Sequence, residues 1–108
     1  MLDADHIYHE VLSAGERWAD AKAAYETLDD LTKTVLADIT SGFLPPVCPT
    51  KTEAETRALA SKDYKDHLAA KHSARKSWLL AEVKYKGLVM LAELRRTQES
   101  TRRQEMKL

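Results

Sequence analysis

The chain has 108 residues, of which 31% are charged, with only three glycines, three prolines and one phenylalanine. This length allows one domain, and the composition is typical of long helices and helical bundles rather than of an ordinary globule. No run of about 18 apolar residues is present, and residues 1–5 lack the order of a secretory signal, so we expect a cytoplasmic protein without a membrane span. The single cysteine, Cys48, excludes an internal disulfide and fits a reducing compartment.

The net charge of zero hides a difference between the two halves of the chain. Residues 1–41 carry nine acidic and three basic residues, a net charge of −6, whereas residues 42–108 carry fourteen basic and eight acidic residues, a net charge of +6. Opposite charges suit two helices that lie side by side. Each exposed ion pair contributes only about 0–1 kcal/mol, so we expect the charges to favour register and partner choice more than stability.

The first predicted helix covers about residues 3–41. Its apolar positions follow one another at alternating steps of four and three residues, the pattern of a coiled-coil seam. The seam consists of Ile7, Val11, Ala14, Trp18, Ala21, Tyr25, Leu28, Thr32, Val35 and Ile39. Gly15 lies beside this seam and costs about 1 kcal/mol relative to alanine in a helix. We expect the long periodic flanks to override it.

A proline-rich turn is predicted at about residues 42–51. Ser41 and Gly42 offer a left-handed helix cap, and the prolines that follow forbid regular helix for several residues. These prolines are Pro45, Pro46 and Pro49. The chain is therefore expected to reverse direction here, which predicts an all-α antiparallel helical hairpin.

The second half of the hairpin is predicted to be helical from about residue 52 to residue 106. Thr50 with Glu53 and Thr52 with Glu55 are both possible capping boxes. Ser61 starts a third such signal, so residues 52–60 form either a separate short helix or the first turns of the long one.

The long second helix carries two apolar lines, displaced by roughly 100° around the helix. One line consists of Leu68, His72, Leu79, Val83, Met90 and Leu94, and the other of Tyr64, Trp78, Tyr85, Val89 and Ala92. The first helix can cover only one line. We expect a second copy of the chain to cover the other, in a dimeric four-helix arrangement with Trp78, Tyr85, Val89 and Ala92 as oligomer-packing residues. The alternative is that the segment 52–60 or the turn folds over it.

Helix lengths also predict an unpaired C-terminal end. If residues 3–41 pair with a stretch of equal length, the pairing ends near residue 93 and the remainder projects beyond it. The basic residues in or near this segment are Arg95, Arg96, Arg102, Arg103 and Lys107. They are candidates for binding a protein partner or the phosphates of nucleic acid. A solvated helix end is the simpler interpretation, since the segment lacks an aromatic residue for base stacking.

The sequence offers no catalytic, cofactor or metal site. None of the motifs for a nucleophile elbow, a phosphate loop, a zinc protease or paired cysteines occurs. His6, His9 and Glu10 have helical spacing, but no third and fourth ligand follows at a recognisable distance. We therefore predict a protein that is not an enzyme and that binds no cofactor or metal.

Four parts of the chain carry a family resemblance: residues 16–21 of the first helix, residues 58–68, Tyr85, and the ending at residues 95–106. They resemble small proteins encoded by tailed phages and prophages. Relatives have proline after the serine that corresponds to Ser61, where this chain has Lys62. The resemblance implies an accessory protein of a group sometimes encoded near homologous-recombination genes, and it implies no activity.

These observations predict a phage-type accessory protein that dimerises and docks on a protein of DNA recombination or replication, in the cytoplasm of the host cell. Direct binding of single-stranded nucleic acid through the basic C-terminal end is the second hypothesis. The third hypothesis is inhibition of a host defence complex.

Overall fold

The structure, a computed structural model, describes residues 4–44, 47 and 49–107. The described residues form three helices, α1 (Ala4–Phe43), α2 (Lys51–Ala60) and α3 (Lys62–Lys107), and contain no strand. The predicted all-α class is confirmed. No helix in this part of the chain is both long enough and apolar enough to cross a membrane.

Helix α1 buries the seam that the sequence predicts. Every one of its ten members from Ile7 to Ile39 is buried or half-buried, while the residues between them are mostly exposed. The predicted left-handed cap at Gly42 is wrong, because α1 continues through Phe43 and Gly42 lacks a positive φ. The chain leaves the helix at Leu44, whose N–H donates to the Ser41 carbonyl at 3.4 Å. Pro45, Pro46 and Cys48 lie outside the described residues.

Two side-chain caps separate α2 from its neighbours. They show which threonine begins the helix after the turn and whether the segment before Ser61 is a separate helix. Thr50 Oγ1 accepts a hydrogen bond from the Glu53 N–H at 3.2 Å, so Thr50 rather than Thr52 caps α2. Ser61 ends α2, and its Oγ accepts from the Tyr64 N–H at 3.2 Å at the start of α3. The segment before Ser61 is therefore a separate short helix.

The described chain falls into two compact units. The terminal unit consists of Met1–Ala21 and Ser77–Leu108, and the turn unit consists of Lys22–Lys76. In the terminal unit, α1 and α3 run antiparallel, since Gly15 approaches Tyr85 while Ile7 lies near Ala92. The centre of this pairing is aromatic: the rings of Trp18 and Tyr85 stack with their centroids 5.1 Å apart.

The turn unit joins its helices through polar groups and small side chains. Thr32 Oγ1 lies 3.0 Å from His67 Nε2, and Asp29 pairs with Lys71 at 2.7 Å, so α1 and α3 are antiparallel here as well. Ala54 and Ala58, one turn apart on α2, are completely buried. Their methyl groups allow α2 to approach its neighbours closely.

The predicted pairing of opposite charges is realised between Asp29 of α1 and Lys71 of α3. The pairs His6 with Glu10, Lys22 with Glu26, Arg57 with Glu53 and Lys86 with Glu82 each join residues four apart on one helix. Three basic residues that follow Lys71 in the chain, His72, Arg75 and Lys76, are exposed. An exposed ion pair contributes only about 0–1 kcal/mol, so we expect the apolar seam to stabilise the contact between α1 and α3 more than the charges do.

Candidate interaction surfaces of the terminal unit

An open groove lies between the first turns of α1 and the C-terminal part of α3. We call it the terminal groove, and its volume is about 330 Å³. Its lining residues are Ile7, Tyr8, Val11, Ala92, Arg95, Arg96 and Glu99. The seam of α1 supplies its apolar floor, because Ile7 is buried and Val11 is half-buried.

The rim of the terminal groove is basic. Arg95 is half-buried and Arg96 is exposed. Within the part of the chain that the structure describes, no carboxylate lies at ion-pair distance from either guanidinium, although Glu99 lines the same groove. Guanidinium groups bind carboxylates and phosphates through two parallel hydrogen bonds. The groove can therefore take an apolar side chain and an anionic group side by side.

The groove also corrects the predicted length of the unpaired end. The sequence places the end of the pairing near residue 93, but Ile7 and Tyr8 reach Arg95, Arg96 and Glu99. The register differs because residues 51–60 form the separate helix α2, so that α3 begins to pair later in the chain. Of the five basic candidates, two thus belong to the groove and three lie beyond it.

The remaining candidates Arg102, Arg103 and Lys107 are fully on the surface of the last turns of α3. At about 100° per residue, these three and the two groove arginines fall within an arc of roughly 140° on one side of the helix. Glu99 lies within the same arc. The arrangement is a basic face diluted by one acidic residue.

The predicted oligomer-packing residues lie on the side of α3 that faces α1. Trp78, Tyr85, Val89 and Ala92 are half-buried, Tyr85 contacts Trp18 and Gly15, and Ala92 lines the terminal groove. Their role in an oligomer stays a prediction. In the other predicted apolar line, Leu68 is half-buried. The remaining members of that line are exposed: His72, Leu79, Val83, Met90 and Leu94.

The sequence did not indicate which residues make the two polar contacts between α1 and α3 in the turn unit. The hydrogen bond and the charge of Asp29 raise the pKa of Lys71 above its usual value of 10.5, against an opposing effect of partial burial. The hydrogen bond between Thr32 and His67 satisfies the one polar member of the α1 seam. A spacing of three or four residues within each helix could have suggested neither pair, because both depend on the register between helices.

The histidine pair considered as a metal site makes a local contact. His6 Nε2 lies 3.8 Å from Glu10 Oε1, one turn later on α1. Residues 4–44, 47 and 49–107 contain no group of three histidine, cysteine or acidic side chains arranged to hold a metal ion.

Comparison of the chain with known protein families, with curated proteins and with solved structures gives no match.

Proposed function

We propose that this protein is a non-enzymatic accessory protein of the phage type, which forms a homodimer of two helical hairpins and acts by docking on another protein. The process proposed is DNA recombination or replication. The observation that carries the docking proposal is the terminal groove, where a buried apolar floor meets two arginines that have no carboxylate partner among the described residues.

The groove suggests the chemistry of the docked segment. Its volume of about 330 Å³ is at the lower end of ligand pockets and suits one or two side chains. Tyr8 and Val11 favour an apolar or aromatic anchor, and Arg95 and Arg96 favour a neighbouring carboxylate. The proposed occupant is therefore a short segment of a partner protein that combines an apolar anchor with an acidic residue.

Photo-crosslinking in living cells tests this docking. A photo-reactive phenylalanine analogue at position 8 is expected to give a discrete adduct with a partner protein in infected or lysogenic cells. The same analogue at Ala24, an exposed position of the turn unit, is the control and should not give that adduct.

Charge reversal separates the groove from the end of the helix. The pair Arg95→Glu and Arg96→Glu is expected to abolish the adduct, whereas Arg102→Glu with Arg103→Glu should leave it unchanged. Equal adducts at positions 8 and 24, or an adduct that survives the groove substitutions, would contradict the docking proposal. Mass spectrometry of the adduct identifies the partner, and a host defence protein there would favour the inhibitor hypothesis over recombination or replication.

Direct binding of single-stranded nucleic acid is the second candidate function. It is supported by the basic face that Arg95, Arg96, Arg102, Arg103 and Lys107 form on one side of α3. If all five contact phosphates, the affinity is expected to fall on the order of 100-fold between about 50 and 200 mM salt. Fluorescence anisotropy with a labelled single strand measures this. Replacement of the four arginines by alanine should abolish binding, and absent or salt-insensitive binding excludes this candidate.

A further inference from the structure

The side of α3 that points away from α1 is apolar in the terminal unit. Six large apolar side chains there are exposed by 40% to 70%. They are Leu79, Leu80, Val83, Met90, Leu91 and Leu94. At about 100° per residue they fall within an arc of roughly 120°, opposite the half-buried Trp78, Tyr85 and Val89. We call this surface the outer face of α3.

Gly87 lies in the middle of the outer face. A Cβ atom added at this position would meet nothing within 4 Å, so no contact inside the chain requires glycine here. Glycine is nevertheless unfavourable inside a helix. Because glycine has no side chain, the backbone of another helix can approach closely at this point.

Four of the six apolar positions are arranged symmetrically about this glycine. Leu80 and Val83 lie seven and four residues before Gly87, and Leu91 and Leu94 lie four and seven residues after it. If a second α3 ran antiparallel with Gly87 opposite Gly87, Val83 would face Leu91 of the other copy and Leu80 would face Leu94. Such self-complementarity is the property that a two-fold symmetric interface needs.

The size of the outer face is sufficient for a homodimer. Burial of a large apolar side chain removes roughly 100 Å² from water, so six of them provide on the order of 600 Å² per copy. This is at the upper end of the apolar patches that monomers expose. Two copies would bury about 1,200 Å² together, which reaches the range of specific interfaces.

We propose that a second copy of this chain covers the outer face of α3, antiparallel to the first, with Gly87 on the two-fold axis. The inference rests on the proposed homodimer and assigns its surface. The proposed surface differs from the one predicted from the sequence, because it replaces Trp78, Tyr85, Val89 and Ala92, which face α1, with the opposite side of α3.

Light scattering coupled to size-exclusion chromatography tests the assembly with the full chain. At micromolar concentration the expected mass is twice the 12.2 kDa of one chain. Val83→Glu is expected to give the mass of one chain with unchanged helical content by circular dichroism. Leu12→Glu places the same charge at an exposed leucine of α1 and should leave the dimer intact. A monomeric wild type, or a dimeric Val83→Glu variant, overturns the proposal.

Disulfide crosslinking tests the position of the axis, in a chain with Cys48→Ser. Gly87→Cys is expected to form a crosslinked dimer on oxidation, because the two substituted positions meet at the axis. Leu80→Cys is the control, since antiparallel pairing separates its two copies by about 14 residues or roughly 21 Å. Equal crosslinking of both variants would indicate parallel pairing and overturn the assignment. If the protein is a monomer in these experiments, the proposed dimer is wrong. Photo-crosslinking at position 8 then still tests the docking proposal separately.

Discussion

The two compact units hold α1 and α3 together by different means. In the terminal unit, aromatic stacking of Trp18 on Tyr85 and the close approach of Tyr85 to Gly15 make the contact. In the turn unit, the contacts that join α1 to α3 include one hydrogen bond and one ion pair, at Thr32 and Asp29. Apolar burial stabilises more than exposed charge pairing does, so we expect substitutions in the terminal unit to have the larger effects.

The aromatic contact is expected to give the largest effect. Tyr85→Ala removes a ring that stacks on Trp18 and leaves a cavity beside it, so the free energy of unfolding should fall by about 3 kcal/mol. Urea denaturation followed by circular dichroism measures this. Tyr8→Ala is the matched control, because Tyr8 is 60% exposed, and it should change stability by no more than about 0.5 kcal/mol. Similar losses for both variants would contradict the central role of the aromatic pair.

The glycine beneath that ring provides a finer test. A Cβ atom at Gly15 would lie 3.2 Å from Tyr85 Cε2, and the ring is held by Trp18, so Gly15→Ala should lower the free energy of unfolding by about 1 kcal/mol. Gly42→Ala is the control. Its Cβ meets nothing within 4 Å, so improved helix propensity should raise the free energy by up to about 1 kcal/mol. A gain in stability at both positions would show that the ring moves aside without cost.

The ion pair of the turn unit is expected to give the smallest effect, with a defined pH dependence. Because the folded state raises the pKa of Lys71 above 10.5, its contribution is fully present below that pH and is lost as pH rises through the folded pKa. The difference in urea midpoint between the wild type and Lys71→Met should therefore shrink above about pH 10.5.

Lys65→Met, an exposed lysine of the same unit, is the control for this measurement. The urea midpoint of this variant should stay close to that of the wild type, because Lys65 is exposed. A difference for Lys71→Met that persists unchanged to high pH would assign the effect to the aliphatic stem of the lysine rather than to its charge.

The helical class of the chain and the seam of α1 followed from the sequence. The ten positions identified by steps of three and four residues are all buried or half-buried, because this periodicity depends only on helix geometry. Thr40, which is also buried, lies outside these steps. Thr50 and Ser61 were among the candidate caps, since each hydrogen bond is made within three residues along the chain. The structure decided between Thr50 and Thr52 and separated α2 from α3.

Tertiary structure alone decided which apolar line of α3 faces α1. Both lines have helical spacing and apolar side chains, and the register between helices brings Tyr85, rather than Val83 or Met90, into contact with α1. The same register places Arg95 in the terminal groove and pairs Asp29 with Lys71. It also brings the ring of Tyr85 so close to Gly15 that a side chain at position 15 would crowd it. Such contacts join residues far apart in the chain, and local periodicity carries no information about them.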